Sequence, residues 1–211
     1  MVPFGIQVVI YLFLAGIAAG AGFMGSVALA SGQRAPFEGG RLALTVAIVC
    51  ALVGSVFLIL DLTQPGDFLL ILTSANPSSA ISWGARILVL FIFSAIFVRV
   101  TVRNWDEADV QRGFKGGEVV GVWLLRLSAL GLAFYPAFVL RQGEAYALWQ
   151  NALLIPLIAV SAFHAGLAAM LFVTKCEECK RKARTFEIIL GMLQLIFLGA
   201  MLVSAGGTAF A

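Results

Sequence analysis

The stretch that decides the fold is "LALTVAIVCALVGSVFLILD", from Leu42 to Asp61. It carries no charged side chain before its last residue. An α-helix rises about 1.5 Å per residue, so about 20 apolar residues cross the hydrocarbon core of a bilayer. The stretch therefore predicts a transmembrane helix that ends in a carboxylate.

Apolar runs of this kind recur along the whole chain. Of its 211 residues, 61% are hydrophobic and 12% are charged, and the mean hydropathy is +1.01. A soluble domain carries about 25% charged residues. The runs are continuous rather than alternating, which favours helices over a β-barrel. We predict an all-α integral membrane bundle, one transmembrane domain over residues 1–211, with spans at roughly 6–31, 41–60, 83–103, 119–140, 151–173 and 185–204.

The first of these runs also has a small-residue "ALA" at 28–30, as a signal peptide does. No Lys or Arg precedes it, however, and it is longer than the roughly 7–15 apolar residues of a signal sequence. We therefore interpret it as a retained first helix.

The basic residues indicate the orientation, because Lys and Arg concentrate in cytoplasmic loops. The even-numbered connections hold only Arg141. We therefore predict a multi-pass protein of a prokaryotic plasma (inner) membrane, with both termini and the 61–82 connection outside. The net charge of +3 is explained by anionic lipid and requires no nucleic-acid partner. The basic residues in and beside the odd-numbered connections are Arg34, Arg41, Arg99, Arg103, Arg112, Lys115, Lys175, Lys180, Arg181, Lys182 and Arg184.

Polar and amphipathic residues from four predicted helices share the outer end of the bundle. Asp61 closes the second helix, Ser82 and Trp83 open the third, Gln7 begins the first, and Tyr135 lies near the outer end of the fourth. Each also has an ordinary structural explanation: Trp and Tyr populate membrane interfaces, Ser caps helices, and a terminal Asp can lie in headgroup water.

Together these residue types suit one kind of ligand. A carboxyl at the edge of the hydrocarbon holds its proton more tightly than in water, because desolvation disfavours the charged form. Such a group can take and pass protons. A phenol can hydrogen-bond a carbonyl, and an indole gives a flat apolar wall. A quinone, a lipophilic ring whose redox chemistry needs protons, fits this combination.

Four segments resemble the membrane subunit of polysulfide-reductase-type complexes, the NrfD/PsrC family. They are "YLFLAGIAAGAGF" (11–23), "DLTQPGDFLLILTSANPSSAISWGA" (61–85), "LAFYPAFVL" (132–140) and "LLIPLIAVSAFHAGLAAMLF" (153–172). The resemblance covers roughly residues 6–173 and fades through the sixth helix. The family's spaced pattern is matched at Asp61, Pro65, Asn76, Pro77, Ser79, Ser82, Trp83 and Gly84.

The resemblance implies a haem-free subunit that exchanges electrons between the quinone pool, menaquinone or ubiquinone, and an iron–sulfur subunit docked outside with a catalytic subunit. Asp61 matches the family's acidic residue and Tyr135 its fourth-helix tyrosine. We expect Asp61 to exchange protons and Tyr135 to hydrogen-bond the quinone carbonyl. Gln7, Ser82 and Trp83 would line the pocket.

Two features depart from the family pattern. Arg86 stands where an apolar or aromatic residue is commoner; we include it in the pocket, where it either snorkels outward or pairs with Asp61. Family members also usually have eight or more spans. A chain of six is either a minimal variant or a short form whose missing helices another membrane subunit supplies.

The single histidine, His164, lies near the middle of the fifth span. A b-type haem generally needs two axial histidines, so we expect no haem in this chain. His164 is either a neutral imidazole bonded between helices or a proton relay with Gln194, which lies at similar depth on the sixth helix. Cys176 and Cys179 lie in a cytoplasmic loop, so we expect reduced, idle thiols and no metal site.

Two other classes of function compete with a quinone-reactive subunit of an oxidoreductase. One is a purely structural anchor for peripheral redox subunits. The other is a small transporter, which is disfavoured because the sequence shows no broken helix with charged residues at the membrane midplane.

Overall fold

The computed structural model describes residues 5–61, 80–142 and 147–208. Within these ranges the chain is helical, and six long helices are apolar enough to cross a membrane. The all-α class and the six spans expected from the sequence are thereby confirmed. In chain order the long helices are α1 (Ile6–Leu29), α2 (Arg34–Asp61), α3 (Ala80–Thr101), α4 (Gly117–Gln142), α5 (Leu154–Val173) and α6 (Glu177–Thr208).

Two helices begin about two turns earlier than the apolar runs predict. α2 starts at Arg34, not at 41, and Pro36 is accommodated because the first turn needs no backbone N–H donor. α6 starts at Glu177, not at 185, so that Lys180 and Arg184 lie on its first turns. Hydropathy detects the part of a helix that crosses hydrocarbon, and it misses charged turns that continue beyond the membrane.

The connections define two ends of the bundle. At the "Asp61 end", α1 begins, α2 ends and α3 begins. At the "basic end", the basic connections join α1 to α2, α3 to α4 and α5 to α6. There the third connection forms a short helix, Glu107–Arg112, whose first turn is fixed by reciprocal hydrogen bonds between Asp106 and Asp109. Trp105 stacks on Phe37 with ring centroids 5.8 Å apart, which ties this connection to the start of α2.

Small residues place α1 at the centre of the bundle, against α2, α4 and α5. A Cβ added to Gly25 would lie 3.1 Å from the backbone oxygen of Gly40, so α1 and α2 are in close backbone contact. On the other side, Gly20 lies directly against Ala162 and Gly166 of α5. The glycines of the first span therefore serve close helix packing, as is common in membranes.

α6 lies at the edge of the bundle and packs mainly against α5. Only 6% of its apolar window is buried within the described chain, against 56% for α4. Large side chains on several sides of α6 point outward, including Ile189, Leu195 and Val203. Most of the surface of α6 is therefore apolar, and only a few of its polar side chains face α5.

Candidate functional site

The end of α2 meets the start of α1 through Asp61. A Cβ built on Gly5 would lie 2.8 Å from Asp61 Oδ1 and 2.9 Å from Gln7 Oε1. The carboxylate and the carboxamide therefore share the space beside Gly5, which a larger residue would fill. The structure thus brings together Gln7 and Asp61, two of the residues singled out from the sequence.

Tyr135 lies deeper, where α4 meets both α1 and α3. Its side chain is buried, and its ring lies so close to Gly84 of α3 that a Cβ at that position would overlap it. On the other side it meets Tyr11 edge-on, with ring centroids 6.3 Å apart and an angle of 61° between the rings. The glycine that follows Trp83 therefore makes the space for the Tyr135 ring.

Tyr11 was not singled out from the sequence, yet it joins the two parts of the site. Gln7 and Tyr11 are four residues apart, so both lie on one face of α1, about 6 Å apart along its axis. The Tyr11 hydroxyl is buried without a hydrogen-bond partner among the described residues, and the Tyr135 phenol is close enough to interact with it electrostatically. A row of oxygen-bearing side chains therefore runs inward along α1: Asp61, Gln7, Tyr11 and Tyr135.

The first turn of α3 supplies the remaining predicted residues. Ser82 is buried, whereas Trp83 is 51% exposed. The guanidinium carbon of Arg86 lies 5.7 Å from the centroid of the Trp83 ring, a cation–π arrangement. The ion pairs formed within the described part of the chain do not include one between Arg86 and Asp61.

An apolar groove of about 310 Å³ lies beside this row. It is formed by α1, α4 and α5, and its lining includes Leu12, Gly16, Pro136 and Ala162. Pro136 directly follows Tyr135, so the groove lies on the neighbouring face of α4. Its lining and size suit a hydrocarbon chain.

A second polar cluster lies between α5 and α6. Nδ1 of His164 is 2.9 Å from Oε1 of Gln194, so the two residues that the sequence placed at similar depth are in hydrogen-bond contact. Nε2 of the same ring is 3.2 Å from Oε1 of Glu187, which the sequence reasoning missed. The sequence did contain one indication of this contact. Glu187 lies seven residues, or two turns, before Gln194, and therefore on the same face of α6.

Arg126 is another polar residue inside a span. From α4 its side chain donates two hydrogen bonds to Ser26 of α1, from Nε to the hydroxyl at 3.0 Å and from Nη2 to the backbone oxygen at 3.2 Å. Ser26 lies one turn from the end of α1, so the arginine reaches along α1 toward the basic end. The contact joins α1 to α4 at the opposite end from Tyr11 and Tyr135.

The cysteine pair differs from the expectation. Cys176 and Cys179 form a disulfide at the start of α6, where we expected reduced thiols. The two-residue spacing at a helix start explains the contact, because it holds the two Cα atoms 5.3 Å apart, within the range that a disulfide requires. The cysteines of the described residues take part in no group of three or more potential metal ligands.

Part of the predicted site lies outside the described residues. Pro65, Asn76, Pro77 and Ser79 belong to the 62–79 segment, which also makes up most of the connection expected to dock a partner. The described site is therefore the Asp61–Gln7–Tyr11–Tyr135 row with the first turn of α3.

Comparison with known proteins adds the family. A search among curated proteins finds no match to the chain. A family model described as "Polysulphide reductase, NrfD" matches residues 1–209. The chain therefore belongs to the polysulphide reductase NrfD family, as a multi-pass membrane subunit of a polysulfide-reductase-type oxidoreductase complex.

Proposed function

We propose that the chain binds a quinone, menaquinone or ubiquinone, at the Asp61 end and carries the proton side of its redox chemistry. Electrons pass between the quinone and an iron–sulfur subunit that docks at this end together with a catalytic subunit. The observation that carries the proposal is the row of Asp61, Gln7, Tyr11 and Tyr135 along α1. The row begins with a carboxyl group at the rim of an otherwise apolar bundle and continues inward with a carboxamide and two phenols.

Each type of residue has a different role in this proposal. A quinone takes up protons and electrons when it is reduced and releases both when it is oxidised. Asp61 lies at a helix end, where its carboxylate can exchange a proton with water and with the site. The Tyr135 hydroxyl serves as a hydrogen-bond donor to a carbonyl oxygen. The side-chain amide of Gln7 supplies a second donor, near Asp61. Trp83 gives a flat wall beside Ser82.

The surroundings of the row also suit an amphipathic ring with a long tail. The adjoining groove of α1, α4 and α5 is apolar and open enough for a hydrocarbon chain. Arg86, held over the Trp83 ring, puts a positive charge beside the start of α3.

Orientation follows from the charge distribution. The basic end carries nearly all of the lysines and arginines that lie outside the spans, so we assign it to the cytoplasm of a prokaryotic cell. The quinone site and the docked redox subunits then lie on the non-cytoplasmic side. The whole chain acts as one transmembrane domain that anchors the complex in the plasma membrane.

The substitution Asp61→Asn tests the proposal, because it keeps the shape of the side chain and removes its proton exchange. In the purified complex we expect quinol-linked turnover to fall about 100-fold or more, the size of a lost acid–base group. The iron–sulfur subunit should still copurify with the variant. Glu177→Gln is the matched control, because Glu177 is an exposed carboxylate at the opposite end, paired with Lys180.

Full quinol-linked turnover in Asp61→Asn would contradict this function. The chain would then be a structural anchor whose partner subunits react with the quinone. Loss of the iron–sulfur subunit from the variant, with turnover lost in proportion, would assign Asp61 to docking instead of proton exchange.

A further inference from the structure

The polar cluster between α5 and α6 has a defined geometry inside the membrane. Glu187, Gly191 and Gln194 fall at positions i, i+4 and i+7 and line one face of α6. The imidazole of His164 lies between the two polar side chains and beside the glycine, where an added Cβ would be 3.5 Å from its Cε1. Three polar groups from two helices thus meet in an otherwise apolar interface.

The hydrogen bonds indicate where the protons lie. Gln194 faces Nδ1 of His164 with its amide oxygen, which accepts, so this arrangement puts a hydrogen on Nδ1. Nε2 then faces the Glu187 carboxyl 3.2 Å away. One proton shared between them would lie either on the ring, as imidazolium with carboxylate, or on the acid, as neutral imidazole with carboxylic acid. Neither arrangement has a net charge, which lowers the cost of placing the pair among apolar side chains.

Few other groups act on this pair. His164 is the single titratable residue of α5, and the 147–150 turn, which also packs against α6, contains none. On α6, Arg184 lies one turn before Glu187, and Lys180 is paired with Glu177. Among the described residues, Glu187 forms an ion pair with His164 and with no other side chain.

The second carboxyl oxygen of Glu187 is available for a further hydrogen bond. Oε2 of Glu187 is buried and has no hydrogen-bond partner in the described part of the chain. An unpaired buried carboxyl oxygen is costly, so it draws a proton or a water molecule. Glu187 lies three residues after Arg184, which places this oxygen in the half of the membrane toward the basic end.

We propose that Glu187 and His164 form a proton-binding pair within the membrane, and that Gln194 is a positioning residue that keeps the hydrogen on Nδ1. A carboxamide neither gives up nor takes a proton at ordinary pH. The path from Glu187 therefore ends at His164 and does not continue through Gln194. The pair is a proton site of its own near the basic end, independent of the quinone site at the Asp61 end.

The single histidine allows a direct test. Full-length protein labelled with ¹⁵N-histidine and placed in lipid vesicles gives one pair of ring nitrogen resonances. We expect the Nδ1 resonance to be that of a protonated nitrogen. In Glu187→Gln the Nε2 resonance should shift, because an amide replaces the carboxyl group that faces it. In Gln194→Met the neutral ring should populate both tautomers.

Glu177→Gln, on the same helix, should leave the ring signals unchanged and serves as the control. Glu187→Asp provides a second variant should Glu187→Gln fold poorly, with a smaller change in the same direction. A wild-type neutral ring with its hydrogen on Nε2 would overturn the positioning role of Gln194. An Nε2 resonance that is the same in wild type and in the Glu187 variants would overturn the pair.

Discussion

α5 has two faces that differ sharply, and they separate the two polar regions of the molecule. Toward α1, Gly166 lies against the backbone of Gly20 with no space for a side chain. Toward α6, His164 meets Glu187 and Gln194 in an interface where Gly191 still has room for a Cβ. The first face is fixed by backbone contact, and the second carries a polar cluster in an otherwise apolar interface.

The difference shows how each region can use its polar residues. In the row along α1, close packing holds Tyr11 and Tyr135 in one arrangement, which suits the orientation of a bound ring. In the α5–α6 interface, Gly191 leaves room for a Cβ beside His164, which suits a ring that exchanges a proton.

The largest effect on stability is expected from a substitution that disrupts the close contact of α5 with α1. In Gly166→Ala the new Cβ would overlap the backbone of Gly20 and Ala21, which cannot move aside as a side chain can. We expect a loss of about 3 kcal/mol or more, the upper range for overpacking. Thermal unfolding of the detergent-solubilised protein would measure it.

Gly191→Ala is the matched control on the loose face. Its Cβ would be in ordinary contact with His164, and alanine favours helix by about 1 kcal/mol over glycine. We therefore expect unchanged or slightly higher stability. Equal destabilisation by both substitutions would show that the two faces of α5 are packed equally closely. The difference between the two faces would then be contradicted.

A smaller effect is expected where the overlapping group can move. Gly84→Ala places a Cβ against the Tyr135 ring, which would have to turn or shift. We expect a stability loss of about 1–3 kcal/mol, and quinol-linked turnover reduced about tenfold, since a displacement of about 1 Å is costly to an oriented site. Parallel measurements of unfolding and turnover in the assembled complex would check this.

The outcome for Gly84→Ala separates two roles of Tyr135. Reduced stability with unchanged turnover would mean that its ring is packing and not part of the site. Reduced turnover, with the iron–sulfur subunit still bound, would support its role beside the quinone.

Sequence alone predicted well how deep each residue lies in the membrane, because hydropathy and helix rise determine its position along the membrane normal. The six spans and the common depth of His164 and Gln194 followed from it. It could not predict which face of each helix meets which neighbour. That choice depends on close contacts between small residues, such as Gly84 with Tyr135, and these leave no periodic pattern in so apolar a chain.

The missed residues illustrate the same limit. Tyr11 lies inside an apolar run and resembles an ordinary aromatic residue until Tyr135 is placed beside it. Glu187 lies close to the charged turns at the start of α6 and was not singled out from the sequence. The segments that carried the resemblance end at residue 172, so no motif drew attention to Glu187, although the family model extends through α6 to residue 209.

The smallest effect is expected at Tyr11. Its buried hydroxyl has no hydrogen-bond partner among the described residues, so Tyr11→Phe removes an unsatisfied group while keeping the ring contact with Tyr135. We expect stability to be unchanged or to rise by about 1 kcal/mol. Thermal unfolding would measure this, with Tyr135→Phe as the matched variant. Tyr11→Phe could instead lower quinol-linked turnover as much as Tyr135→Phe does. That result would show that the hydroxyls of both tyrosines take part in the reaction, and not that of Tyr135 alone.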